Sequence, residues 1–329
     1  MTVSRGRRIG AVAAAICGVV LFVLAFRSAG SAAVVDGVRR LGAGFIVVWL
    51  AGGARYLIRA VAWKLCMDAG RRAPIASLFA ASVAGDAFGN ITPFGFLASE
   101  PSKIVFLGDR TNPQESISGL ALENLFYSAG VVAMLVAGTT ALLLAFDVPH
   151  TLRVVSLSVL AGAVASGVVA AWIVLARIRV LSRIWPEART VEDRVFAFVS
   201  LHPGRIAPIL ALEAAYHGMA IFEIWFAVAL IEGRPPSLLT SFVLEYVNRT
   251  ITVVFQFVPM WIGVDEAGTG LLTKVLGLGP AAGVSLALVR KARILAWTAI
   301  GLAFAGARGI RVERAAAMRE RNRMAARGV

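Results

Sequence analysis

Residues 237–266 read SLLTSFVLEYVNRTITVVFQFVPMWIGVDE, an apolar run that carries Glu245, Asn248 and Arg249. It halts at Pro259-Met260-Trp261-Ile262-Gly263, and a short helix is expected from Asp265-Glu266 to Leu276. The same pattern stands earlier in the chain. An apolar piece over residues 75–91 stops at Thr92-Pro93-Phe94-Gly95, and a second begins around Ser99-Glu100-Pro101 and ends near Gly108. A membrane-crossing helix needs about 20 mainly apolar residues, so each piece falls short of a crossing. Ser99 and Pro101 read as an N-cap and an early helical proline. Irregular backbone at membrane depth is tolerated only inside protein or beside a wet cavity, which suggests two half-helices folded into a re-entrant hairpin.

The two broken regions can be laid in register. Pro93 to Glu100 spans the same separation as Pro259 to Glu266, and with one inserted residue Pro113 meets Pro280 and Glu123 meets Arg290. Both copies open on Ser-Leu, at Ser77-Leu78 and Ser237-Leu238. This predicts an internal duplication, with repeat one at about 75–146 and repeat two at about 237–306.

The rest of the chain fixes the solvent. Of 329 residues, 58% are hydrophobic and only 16% charged, and the mean hydropathy is +0.78. Charge this sparse points to lipid. Full spans are expected at about 9–26, 41–67, 114–146, 152–176, 206–231 and 281–304, giving an all-α polytopic membrane protein of about six spans plus two hairpins. The run at 9–26 reads as an uncleaved span; the rival is a signal peptide cleaved near residues 29–33. Val191, Val195, Phe198 and Val199 share a helical face, so 183–202 is expected to lie along the membrane surface. Residues 1–307 form the membrane domain and 308–329 a basic tail.

The net charge of +14 and pI of about 11.1 would suit nucleic acid in a soluble protein. Here the basic residues flank apolar segments, so membrane orientation explains them and nucleic acid is not an expected partner. Placing the basic N-terminus inside puts Arg71-Arg72, residues 177–205 and the Arg-rich tail inside as well. Both termini are then cytoplasmic in a bacterial inner membrane, and the hairpins enter from opposite faces. Arg39-Arg40 is the exception. Inverted repeats with helices broken at matching positions are the signature of secondary transporters, whose site lies between the repeats.

An ionisable side chain at bilayer depth costs about 2.5–3.5 kcal/mol, so intramembrane charges must pair or line a wet cavity. The candidate substrate-binding residues are Asp86, Asn90, Glu100, Glu123, Arg249, Asp265, Glu266 and Arg290. Glu100, Glu266 and Glu123 would meet cationic or hydroxyl groups. Arg290 and Arg249 would meet phosphate, to which a planar guanidinium fork is suited. Arg55 and Arg59, four apart in the second span, share a face, with Arg55 turned towards the protein interior. Glu213 and Glu223, near His217, would pair within the bundle. No catalytic motif, metal-ligand spacing or cofactor loop occurs, so no enzyme and no cofactor are expected. Cys17 and Cys66 read as small buried hydrophobes.

Asn90-Ile91-Thr92-Pro93-Phe94-Gly95 with Glu100 resembles the first signature of the lysylphosphatidylglycerol synthase transmembrane, flippase-like, family. Pro259, Gly263-Val264-Asp265-Glu266-Ala267-Gly268 and Arg290 resemble the second. Met260-Trp261 departs from the family's glycine-rich second break. The resemblance implies a membrane domain that handles a lipid, without the soluble aminoacyl-transferase domain found in some members. The expected partner is a membrane lipid, either a phospholipid or a polyprenyl- or hopanoid-type lipid, and a homo-oligomer stays open. The expected function is lipid movement between leaflets. Its rivals are a membrane scaffold that recruits a lipid-synthesising enzyme and, least favoured, an enzyme acting on a lipid-linked phosphate.

Overall fold

A computed structural model of the chain describes residues 20, 22–68, 73–92, 95–108 and 111–326. Most of the expected first span, Arg71-Arg72 and the first-break residues Pro93-Phe94 lie outside them. Among the described residues the secondary structure is all helical. The α-helices are α1 (Ser31–Leu41), α2 (Phe45–Cys66), α3 (Ile75–Asn90), α4 (Gly95–Leu107), α5 (Pro113–Ala145) and α6 (His150–Leu175). They continue with α7 (Arg189–Leu201), α8 (Pro203–Glu232), α9 (Leu238–Val254), α10 (Val264–Val275) and α11 (Pro280–Ala326). Local chemistry sets several starts. Asn112 caps α5 by accepting from the Gln114 N–H ahead of Pro113, and the Ser237 hydroxyl caps α9 by accepting from Thr240.

Four stretches are long and apolar enough to cross a membrane: Ser31–Cys66, Pro113–Ala145, His150–Leu175 and Pro203–Glu232. They match the second to fifth expected spans. The sixth lies on α11, whose helix runs on past residue 304 and carries Arg290, Lys291 and Arg293 in its apolar part. Large apolar side chains face outwards, Leu144 and Leu175 being about four-fifths exposed, at 82% and 81%. Water would penalise such a surface; lipid does not. The extreme case is α6, which packs on α5 and buries only Ser156 and Ala163.

The structure adds detail at three places. Helix α2 (Phe45–Cys66) falls within the expected second span, and the apolar stretch reaches back to Ser31 because a turn at Gly42–Gly44 joins α1 to α2. Arg39 and Arg40 therefore fall in the last turn of a separate short helix, where cations suit the helix C-terminus and Arg40 pairs with Asp36. Helix α4 begins at Gly95, so Ser99 is no N-cap and Pro101 sits mid-helix. The early start follows from close packing: a Cβ on Gly89 would lie 2.9 Å from the Gly95 carbonyl, so the glycines let the two backbones meet at the turn. The segment before α7 is a pair of tight turns, and of the expected apolar face Phe198 is buried while Val199 is exposed.

The packing is reciprocal. Helix α3 lies on α11, where Gly301 abuts the Val83 carbonyl and Ala87; helix α9 lies on α5, where Gly138 abuts the Tyr246 ring. The first half-helix of each broken pair thus rests on the long helix that follows the other. The polar residues of both breaks are thereby brought into the middle of the bundle.

Candidate functional site

The first broken pair builds a compact polar knot. Asp86 on α3 accepts from the Ser99 hydroxyl on α4 at 2.6 Å and pairs with Lys103 at 3.0 Å. Lys103, only 3% exposed, also pairs with Glu100 at 2.8 Å; the two lie three apart, on one helix face. Glu100 completes its bonding by accepting from Asn124 Nδ2 on α5 at 2.8 Å. Asn90 reaches across to α11 and donates to the Thr298 hydroxyl.

The second pair is arranged around the N-terminus of α10. Glu266 reaches back to accept from the Gly263 N–H at 2.8 Å, satisfying one of the helix's orphan donors. Asp265 accepts from Arg290 Nη2 at 2.6 Å and from the Thr269 hydroxyl, and Lys291 lies 2.9 Å from Glu266. Residues set in register by the sequence make equivalent contacts: Glu100 with Asn124 on α5, Glu266 with Lys291 on α11. The break itself is strained. Met260 and Trp261 both hold left-handed backbone, with φ of 52° and 51°, followed by Gly263 at 83°. Such a conformation costs a non-glycine residue roughly 1–2 kcal/mol.

Between the pairs lies a cluster of arginines. Arg55 donates to the Tyr216 hydroxyl at 2.8 Å and sits 4.5 Å over its ring; Arg59 sits 4.3 Å over Tyr127. Arg249 donates to the Tyr127 hydroxyl at 3.0 Å. The two rings meet edge to face, with centroids 5.5 Å apart. Cation–π contact stabilises each guanidinium more strongly where water is scarce. Behind the arginines stand carboxylates that are almost wholly enclosed. Glu123 takes a bidentate bond from Arg59, Glu245 accepts from Arg249, and Glu223 faces both Arg55 and Arg293.

These groups surround a cavity of about 570 Å³. Arg55, Arg59, Arg249, Arg290 and Arg293 line it, against Asp86, Glu100 and Asp265. Val131, Val132 and Leu135 of α5 give it an apolar wall, and Ser166 of α6 also lines it. The volume is typical of a small-molecule pocket, and its mix of apolar wall and convergent charge suits an amphiphile.

Six of the eight residues singled out in the sequence therefore line one cavity: Asp86, Asn90, Glu100, Arg249, Asp265 and Arg290. Glu123 and Glu266 stand one layer back, 1% and 0% exposed, each held by a cation of the protein itself. The sequence reading did not include Arg55, Arg59, Lys103, Arg293, Tyr127 and Tyr216 among the site residues. Lys103 could have been found from its position one turn after Glu100; the tyrosines carry no such local signal. Glu213 and His217 remain apart from the ion pairs. Glu213 Oε2 and both imidazole nitrogens are buried without a hydrogen-bond partner. Among the described residues no group of His, Cys, Asp or Glu is placed to hold a metal ion.

No curated protein and no solved structure matches the chain. The family model for the lysylphosphatidylglycerol synthase TM region matches residues 9–301, nearly the whole membrane part including both broken pairs and the arginine cluster. The chain belongs to the lysylphosphatidylglycerol synthase TM region family.

Proposed function

We propose that this protein moves a polar-headed lipid between membrane leaflets, without catalysing a covalent reaction, and holds the head group in the cavity between its two broken helix pairs. The single observation that carries this reading is the cavity itself, lined by both charged and apolar side chains, in a chain whose family is named for a lipid-synthase membrane region. A head group needs a polar shelter to cross the bilayer, whereas its chains can stay in contact with lipid.

On this reading the two pairs are re-entrant hairpins of an inverted repeat, entering from opposite faces of a bacterial inner membrane, with both termini cytoplasmic. The reciprocal packing of α3 on α11 and α9 on α5 supports the duplication, as do the equivalent contacts of Glu100 and Glu266. The cavity arginines are assigned to the phosphate, Asp86, Glu100 and Asp265 to hydroxyl groups, and Asn90 to a supporting role. Glu123 and Glu266 position Arg59 and Lys291 and do not touch the lipid.

The test is reconstitution in vesicles carrying labelled lipids, with leaflet exchange read by quenching of the outer label. Protein-dependent exchange of at least one lipid class, lost in Arg249→Gln, is expected. No exchange across a broad lipid panel, while deletion of residues 308–329 abolishes the cellular phenotype, would favour the scaffold reading instead.

A further inference from the structure

The unpaired polar side-chain atoms of the residues that line the cavity are all of one kind; one layer back, Glu266 Oε1 also lacks a hydrogen-bond partner, though Lys291 lies 2.9 Å from it. Among the residues that line the cavity, the buried side-chain atoms without a hydrogen-bond partner are Arg55 Nε, Arg290 Nε and Nη1, and Trp261 Nε1. Each is a donor. The cavity carboxylates are already served from within the protein: Asp86 by Ser99 and Lys103, Glu100 by Lys103 and Asn124, Asp265 by Arg290 and Thr269. An unsatisfied buried donor costs about 1–3 kcal/mol, more when charged, so a ligand that supplies acceptors offsets a cost the empty protein bears.

We infer that the cavity recognises its lipid through a phosphate group, and that no ammonium group on the lipid is required. A phosphate brings acceptor oxygens that a guanidinium fork matches in shape and charge. Arg55 and Arg290 stand on α2 and α11, so they reach the ligand from two helices, and the Trp261 indole adds a neutral donor from the strained turn before α10. An ammonium group would have to compete with Lys103 for Asp86 and Glu100, and, being a donor itself, it supplies nothing to the orphaned donors. The apolar wall of Val131, Val132 and Leu135 adjoins the polar centre, which places a chain beside the phosphate and favours a lipid over the free ion.

This inference rests on the reading of the cavity as a lipid site, but its test is binding rather than movement. The full chain in maltoside micelles, which carry no phosphate, is titrated with a fluorescent short-chain phosphatidic acid. Unlabelled phosphatidic acid, phosphatidylethanolamine, lysyl-phosphatidylglycerol, diacylglycerol and inorganic phosphate then compete. Phosphatidic acid is expected to compete at least as well as the amine-bearing lipids, and about tenfold or more better than diacylglycerol, the step expected from one charge-assisted hydrogen bond. Inorganic phosphate is expected to compete only at far higher concentration. Equal competition by diacylglycerol, or a clear preference for the amine-bearing lipids, overturns the inference; equal competition by inorganic phosphate removes its lipid part. Trp261→Phe breaks no ion pair and is expected to weaken phosphatidic acid several-fold while leaving diacylglycerol unchanged; no change in either overturns the role of the indole. Tight, phosphate-dependent binding without leaflet exchange would sustain this inference and sink the transport reading.

Discussion

Arg59 donates from Nε and Nη2 to the two carboxylate oxygens of Glu123, at 2.6 and 2.7 Å, tying α2 to α5 across the middle of the bundle. Both partners are shielded, and Glu123 lies almost fully inside. Removing one partner of a buried pair strands the other's charge, at a cost of about 3–5 kcal/mol. Glu123→Ala is therefore expected to lower the thermal unfolding midpoint in detergent sharply, and Arg59→Met combined with Glu123→Leu to recover part of the loss. A double variant no better than the single one would show that the pair is not an isolated unit.

The left-handed backbone at Met260 yields a comparison that contacts alone would not suggest. Glycine adopts this conformation without strain, and a β-branched side chain adopts it worst. Met260→Gly is expected to be more stable than Met260→Val by roughly 2 kcal/mol, measured by chemical unfolding of the two variants side by side. Equal stabilities would mean that the turn relaxes to another conformation.

Close helix approach makes a second pair of glycines distinguishable. A Cβ on Gly89 would collide with the Gly95 carbonyl and with Ser99, whereas a Cβ on Gly162 of α6 meets nothing within 4 Å. Gly89→Ala is expected to cost about 1–3 kcal/mol by overpacking, and Gly162→Ala to gain a few tenths or more from helix propensity. Thermal shifts of the two variants, opposite in sign, are the check.

Lys103 is a cation shared by Asp86 and Glu100. Lys103→Met would leave two carboxylates facing the cavity without their counter-charge. The expected outcome is a change of preference: about tenfold weaker competition by phosphatidic acid, and stronger competition by amine-bearing lipids, in the same micelle titration. An unaltered ranking would place those carboxylates outside the recognition surface.

What was legible in the sequence is what one-dimensional patterns carry. Apolar windows located the spans at 114–146, 152–176 and 206–231, since length and composition alone set a crossing. The Pro-to-Glu spacing located both breaks. The start of α4 was misread because Ser99 and Pro101 mimic a helix start, while the actual start depends on Gly89 meeting Gly95 across the turn, a contact between helices. The same limit governs the charges. Asp265 and Glu266 are neighbours in sequence, yet the first lines the cavity and the second turns back to its own helix end. Nothing in their spacing separates them; only the positions of Arg290 and Lys291 do. Tyr127 and Tyr216 were invisible for the same reason, since their partners come from α2 and α9.

Glu223 is the one carboxylate that faces both Arg55 and Arg293, whereas Asp86 and Glu100 share Lys103, so the charge around the cavity balances overall while one end is positive and the other negative. On the proposed lipid-moving reading, an anionic cargo adds charge that the emptied site does not bear, so the empty form meets no extra electrostatic barrier to reorienting. The expected kinetic signature is net one-way movement about as fast as lipid counterflow in the same vesicles. Glu223→Gln leaves the empty site one charge positive and should make counterflow the faster of the two; unchanged relative rates would mean that water or counter-ions compensate the charge when the lipid is gone.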